Sequence, residues 1–275
     1  METNWIGVDT HKESLACYTK GRFKEFKTTQ NGFESALKWA GNNSKWAVEG
    51  AYCFGKPFVT YLIKNGSEVY EVNPLLIKTW RRTLAISNPK NDFGDAKVIS
   101  LFANTAKLLQ VSLETVRLKE KLTARKLAVK QRTKIINSMK MLFSTRGELL
   151  PFKNFKTQKA CKWFSNHNDI IVKNFGMVLK TLNTTINELE KNIEANLPTK
   201  AQKLVKKFKG IRNITAATIY TETKGKLISE AALASYAGVA PVDNSSGKQI
   251  KHRNNKAGNR ILNSVFFRLS IHQIK

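Results

Sequence analysis

At 275 residues, with 41% hydrophobic and 9% aromatic side chains, the chain holds enough apolar material for more than one core and reads as a folded protein. Its charge is the unusual quantity: 47 Lys and Arg against 20 Asp and Glu give a formal +27, a field that attracts polyanions, with nucleic acid the first candidate. No run reaches the ~18 apolar residues of a membrane span, the N-terminus lacks the pattern of a secretion signal, and three cysteines without a CxxC pair close no disulfide framework. These features point to a cytoplasmic protein with reduced thiols and no membrane partner. The charge is also unevenly spread: 15 basic and 10 acidic residues over 1–112, then 14 and 3 over 113–162, 3 and 4 over 163–197, and 15 and 3 over 198–275. Acids concentrate in the N-terminal part, beside two regions suited to gripping phosphates.

In chain order, residues 4–9, 14–19 and 22–28 read as short strands separated by turn-length breaks. A helix is predicted over 31–41 with Asn31 as its N-cap, then a strand at 45–50, a helix over 55–65 and a strand at 68–72. Pro74 opens another helix, and a further one starts near Asp92. Three strands, a helix, then strands alternating with helices is the order of an RNase H-like sheet. The middle of the chain differs. Phe175, Leu179, Leu182, Ile186, Leu189 and Ile193 alternate four and three apart as a heptad seam, and Leu118, Leu122, Val129, Ile136, Met139 and Phe143 fit the same spacing. Arg125 and Arg132 fall on that second seam, where a charge is costly unless it meets phosphate or carboxylate, so both are read as nucleic-acid-binding residues. Two long helices around Pro151 would form a coiled-coil hairpin or an oligomer interface, or simply pack on their own core. From Pro198 the chain becomes short helices and loops. The fold class expected is α/β plus α: an RNase H-like domain over 1–111, a helical middle over 112–197 and a small, mainly helical domain over 198–275.

Asp9 closes the first strand and Glu49 closes the strand at 45–50, while Asp92 and Asp95 sit three apart, on one face at the start of a helix. In an RNase H-like sheet the first and fourth strands are neighbours, so Asp9 and Glu49 would meet, with Asp92 and Asp95 packing across them. Four carboxylates so crowded repel one another unless divalent cations lie between them. Two Mg²⁺ ions about 4 Å apart are the usual answer in phosphoryl transfer. Singly, each acid reads as well as a turn or cap residue; the pattern points to a metal site.

Residues 233–247 contain Ser245 and Ser246 directly before Gly247, trailed by Lys248, Lys251, His252, Arg253, Lys256 and Arg260. A serine there is a candidate nucleophile, with basic neighbours to neutralise a phosphorane; the same string also reads as a phosphate-binding loop. Upstream, Lys206, Lys207 and Lys209 flank a turn at 209–213 that resembles one hairpin of a helix–hairpin–helix element and would offer backbone N–H groups to phosphate.

The segments GVDTHKES at 7–14, AVEGAYCFG at 47–55, NDFGDAK at 91–97, GIRNITA at 210–216, YAGVAPVDNSSGK at 236–248 and KAGNRIL at 256–262 occur in an order and at distances that resemble the DEDD-type insertion-sequence transposases, relatives of the Piv DNA invertases. That resemblance implies a RuvC-like N-terminal domain, a coiled-coil middle and a C-terminal serine domain. It implies that Asp9, Glu49, Asp92 and Asp95 bind Mg²⁺ (or Mn²⁺) and that Ser246, with Ser245 as rival, becomes linked to cleaved DNA. It further implies donor and target DNA as partners, a structured non-coding guide RNA, and dimers that pair into tetramers. The sequence departs from the pattern at Asn213, where a glycine is expected, at Asn244 and Ser245 before the nucleophile, and in stopping at Lys275, as a shortened copy would. Two alternatives stay open: a RuvC-like metal nuclease or resolvase whose serine region only holds DNA, and an inactive nucleic-acid-binding remnant.

Overall fold

A computed structural model of the chain describes residues 4–41, 43–83, 91–226, 229–243, 252–255 and 258–273. It divides into two compact units, Met1–Lys119 with Thr218–Lys275, and Glu120–Ala217. Among the described residues no helix is long and apolar enough to cross a membrane.

The first unit is built on a six-stranded sheet. Strands β1 (Asn4–Thr10), β2 (Ser14–Thr19) and β3 (Arg22–Lys27) form an antiparallel meander, helix α1 (Gln30–Ala40) crosses back, and β4 (Ser44–Glu49) pairs parallel to β1. Helix α2 (Lys56–Lys64) leads to β5 (Glu68–Val72), parallel to β4; α3 (Pro74–Thr83) and α4 (Asp92–Thr105) follow, and the short β6 (Leu109–Gln110) closes the edge. The strand order is β3-β2-β1-β4-β5-β6. This α/β sheet has the first and fourth strands side by side, as an RNase H-like arrangement requires. Helix α1 starts one residue earlier than the sequence pattern predicts. Thr29, not Asn31, is the N-cap, its side chain accepting from the Gly32 N–H, a role a threonine in extended backbone fills well.

The pleat decides what faces what, because alternate side chains of a strand point to opposite faces. Ile6, Val8, Trp46 and Val48 are fully buried in one core with Phe58 and Leu62 of α2. Ala47 faces the other way, into a second core with Val98 and Ile99 of α4. Gly7 lies on this second face, and α4 rests directly on it: a Cβ there would come within 2.2 Å of the Ala96 carbonyl oxygen and 2.3 Å of the Ser100 nitrogen. Ser100 Oγ donates to the Trp5 carbonyl at 3.1 Å. At its N-terminal end, Phe93 meets Tyr18 and Phe23 edge-on, with ring centroids 5.6 and 5.3 Å apart. Small residues along its length and an aromatic clasp at its start thus fix α4 on the sheet.

Residues 218–275 join this unit. Helix α9 (Asn213–Glu222), α10 (Glu230–Ala237), a two-stranded ribbon of β7 (Pro241–Asp243) and β8 (His252–Asn254), and α11 (Arg260–Gln273) make up its described part. Lys224, nearly buried, pairs with Glu71 at 2.5 Å and lies 4.2 Å from the Tyr52 ring centroid. Glu222, also buried, pairs with Lys119 and accepts from the Asn259 amide at 2.7 Å. Two glycines of the sequence motifs have a packing reason. Gly238, in the left-handed region at φ 70°, and Gly258 meet backbone to backbone, and a Cβ on Gly258 would lie 2.4 Å from Gly238 Cα. Asn259 then caps α11, accepting from the Ile261 and Leu262 N–H groups.

The second unit is helical: most of α5 (Leu113–Thr145), then α6 (Gln158–Ser165), α7 (Ile170–Ala195), α8 (Thr199–Lys207) and the start of α9. Its core joins Met139 and Phe143 of α5, Ala160, Cys161 and Phe164 of α6, and Val172 and Leu179 of α7. The α7 seam is buried at Leu179, Ile186 and Ile193. Gly176 lets α6 close in, since a Cβ there would meet the Phe164 carbonyl carbon at 2.4 Å.

Because Gly7 is where α4 touches the sheet, Gly7→Ala should destabilise the protein by about 3 kcal/mol, the upper end for an overpacked site. Urea unfolding followed by tryptophan emission measures this. A variant within about 0.5 kcal/mol of the parent would show that α4 does not rest on β1.

Candidate metal centre

Strand pairing brings the first two acids together. Val8 is in register with Val48 across the parallel β1–β4 pair, so Asp9 and Glu49, each the next residue, emerge at the same sheet end. Both share the pleat face of Gly7 and Ala47, which is the face α4 covers. The Thr10 hydroxyl donates to the Glu49 carbonyl at 2.9 Å and ties the two strand ends.

Helix α4 contributes the second pair. Its N-cap is Asn91, whose side-chain oxygen accepts from the Gly94 N–H at 2.7 Å. Capping is therefore done by the residue before Asp92, which leaves the Asp92 carboxylate available. Asp92 and Asp95 lie in the first turn, where the positive end of the helix dipole favours anions.

The structure brings Asp9 and Asp92 into one cluster and adds a residue that the sequence reading did not assign. Asp9, His11 and Asp92 each offer a ligand atom within 4.8 Å of the others; His11 Nε2 is 3.3 Å from Asp9 Oδ2 and 3.3 Å from Asp92 Oδ1. His11 follows Asp9 by two, one residue past the end of β1, a spacing that in a strand puts both side chains on one side. The sequence held this signal.

A second addition is Arg81 of α3. Its guanidinium pairs with Asp95 and lies close enough to Asp9 and Glu49 to favour their ionised forms. Even so, both carboxyls titrate above their ordinary range. For Asp9 burial is the main cause, aided by the Asp92 charge and opposed by His11, the Thr10 N–H and Arg81. For Glu49 burial again leads, followed by the Asp9 charge, with Arg81 opposing. Nothing in sequence spacing reveals Arg81, since it becomes a neighbour only through the way α3 packs.

Three oxygen or nitrogen ligands within 4.8 Å, with a desolvated Glu49 alongside, fit a hard divalent cation such as Mg²⁺ or Mn²⁺. Asp9, His11 and Asp92 are the residues brought within reach of one ion; Glu49 and Asp95 lie outside that set, Glu49 close enough to Asp9 to feel its charge and Asp95 held by Arg81.

Of the remaining candidates, Ser245, Ser246, Lys248, Lys251 and Lys256 lie outside the described residues. Arg253 on β8 and Arg260 at the start of α11 are exposed. Lys206, Lys207 and Lys209 are exposed around the α8–α9 turn, where Gly210 sits at φ 91° and Asn213 opens α9. The seam arginines find partners within their own unit: Arg125 Nε donates to Glu190 Oε1 at 2.7 Å and Arg132 Nη1 to Asn183 Oδ1 at 3.2 Å. Their cost is thus offset without a phosphate.

The raised carboxyl pKa values set the sign of a stability test. A folded state that holds protons more tightly than the unfolded one loses stability as pH rises through the window between the two pKa values. At neutral pH the ionised Asp9 and Glu49 therefore cost the metal-free fold. Asp9→Asn and Glu49→Gln should each raise Tm by a few degrees in EDTA at pH 7.5, with the gain shrinking in acid. Added Mn²⁺ should raise the Tm of the parent more than that of either variant. Lower Tm in EDTA, or equal shifts on adding Mn²⁺, would contradict a shared charge-crowded site.

Two family models match this chain. The DEDD IS110 transposase domain covers residues 6–145, about half the chain, and a model described as the transposase IS116/IS110/IS902 family covers residues 202–275. Among solved structures the chain is similar to Thermus thermophilus RuvC, at 15% identity over 39% of this chain and 99% of that one, with a TM-score of 0.28. It is also similar to T. thermophilus RuvC in complex with a Holliday junction substrate, at 14% identity over 40% and 100%, with a TM-score of 0.30. No curated protein matches. With acids at two neighbouring strand ends and on the facing helix, and a family model over each end of the chain, this protein is a DNA transposase of the IS116/IS110/IS902 family carrying the DEDD domain.

Proposed function

We propose that this transposase cuts and rejoins DNA by joining the work of Asp9, Glu49, Asp92 and Asp95 to that of the Ser246 hydroxyl, with Mg²⁺ (or Mn²⁺) as cofactor. A structured non-coding RNA selects donor and target DNA, and homodimers pair into tetramers. The observation that carries the reading is the meeting of Asp9, His11 and Asp92 within 4.8 Å, beside Glu49 and on the face of a sheet whose strand ends are tied together. The net charge of +27 suits two polyanionic partners.

Asp9, Glu49, Asp92 and Asp95 would hold divalent ions, which when bound would supply neutralisation of the charge that develops on a reacting phosphodiester. The protein's own groups do the rest. Asp9 and Glu49, on paired strands, form the rigid half of the site; Asp92 and Asp95, on α4, form the half whose position depends on helix packing. In strand cleavage the Ser246 hydroxyl gives up its proton as Oγ bonds to phosphorus. The P–O bond to the neighbouring nucleotide breaks, and that oxygen takes a proton to leave as a hydroxyl. Attack on the phosphoserine by a hydroxyl from another strand end rejoins DNA and frees the serine. Arg253, Arg260, Lys248, Lys251 and Lys256 hold the phosphates during this exchange, and Lys206, Lys207 and Lys209 anchor duplex backbone at the α8–α9 turn. Arg125 and Arg132, held by Glu190 and Asn183, add positive charge for nucleic acid along the helical unit.

Incubating the protein with the RNA transcribed beside its gene, target DNA and Mg²⁺, then resolving the products on a denaturing gel, should reveal a covalent protein–DNA adduct. Ser246→Ala should abolish it, and Asp9→Asn or Glu49→Gln should reduce it by roughly 10²-fold or more, the range for loss of a group acting at the reacting phosphate. An unchanged adduct in Ser246→Ala would refute the nucleophile. Cleavage that needs Asp9 and Glu49 yet never forms an adduct would instead favour a metal nuclease whose serine region only binds DNA.

A further inference from the structure

Helix α6 has one buried and one exposed face. Ala160, Cys161 and Phe164 fill the core of the helical unit, and the opposite face carries Lys159, Lys162 and Trp163. With Asn166, His167 and Asn168 just beyond the helix end, these residues line an open depression of about 510 Å³. Trp163 is 38% exposed, and three rings hold its orientation. Phe164 meets it edge-on at 4.9 Å and 88°, Phe152 at 5.8 Å and 69°, and His167 packs against it at 4.8 Å. His167 Nδ1 accepts from the Asp169 N–H at 3.1 Å, so a neutral ring carries its hydrogen on Nε2, as a donor. The six lining residues include no carboxylate. Asp169, next in the chain, spends its oxygens on the Ile171 and Val172 N–H groups and on Arg146.

We propose that this depression binds one unstacked nucleobase of a single-stranded nucleic acid segment, with the base against Trp163 and its flanking phosphates on Lys159 and Lys162. Each part of that chemistry has a counterpart here. An oriented, half-open indole offers a face on which any base stacks. Two lysines one helical turn apart match the charge of a strand that passes over it. Two amides and an imidazole N–H can reach base edges left unpaired in a loop or bulge. A paired duplex, whose bases are already stacked, would use only the lysines. The inference rests on the reading that this chain works on nucleic acid, but not on the metal chemistry or on Ser246.

The test uses the full-length protein in EDTA, so that binding is read without cleavage, with fluorescein-labelled 12-nucleotide single strands of RNA and of DNA and a 12-base-pair duplex. Fluorescence anisotropy should show Trp163→Ala weakening single-strand binding roughly tenfold, within the range for loss of one stacked base, while Trp163→Phe retains most of it. Lys159→Ala with Lys162→Ala should lower the slope of log affinity against log salt by about 1–2 for every probe. Whichever single strand loses more identifies the source as RNA or DNA. Trp163→Ala with single-strand affinity equal to the parent, or with equal losses on single strands and duplex, would overturn the proposal. Because Trp163 also touches Phe152 and Phe164, Asn166→Ala is a second, exposed variant; it should weaken single-strand binding while leaving the duplex unaffected, and no change would count against the site.

Discussion

Holding Asp9 and Asp92 together, with Glu49 close by, at one end of a sheet is an electrostatic problem before it is a catalytic one, and much of the first unit can be understood as its solution. Asp9 and Glu49 are placed side by side by the parallel pairing of β1 and β4, so neither can move away without breaking the central strands. Burial adds to the cost, and both carboxyls titrate high as a result. Without cations, the chain answers with Arg81 against Asp95 and His11 between Asp9 and Asp92. These contacts offset the repulsion without removing it, which leaves a site poised to take up positive charge.

The rest of the unit keeps α4 at the distance this cluster needs. Gly7 removes the Cβ that would hold the helix off, Phe93 anchors its first turn against Tyr18 and Phe23, and Asn91 takes over the capping that Asp92 would otherwise perform. In the C-terminal residues the same economy appears around Gly238 and Gly258, whose backbones touch, and around Asn259, which caps α11 and contacts buried Glu222. Sequence motifs that read as chemistry therefore also contain plain packing requirements, and both kinds occur within the same few residues.

The sheet was legible from the chain because its signals are local. The alternation of Ile6 and Val8 with Gly7 and Asp9 separates the two faces of the strand, and the break after each strand is marked by turn residues. The DxxD pair was legible because helical periodicity is local too. Arg81 was not, because only the packing of α3 makes it a neighbour of residues 72 and 32 positions away at Asp9 and Glu49. The Thr29 cap was missed because Thr29 and Asn31 are both good caps and differ only in the backbone conformation each adopts. The seam arginines called for a phosphate or carboxylate partner on grounds of cost alone. Glu190 and Asn183, some fifty to sixty-five positions later, meet that cost within the folded unit.

The account stands on cations taking the place that Arg81 now fills. Crystals grown or soaked with Mn²⁺ and measured at its absorption edge give the most direct view. Anomalous density bounded by the carboxylates of Asp9, Glu49, Asp92 and Asp95, with the Arg81 side chain withdrawn from Asp95, is the predicted outcome. An empty map at that end of the sheet in saturating Mn²⁺, with the Arg81–Asp95 pair intact, would contradict it.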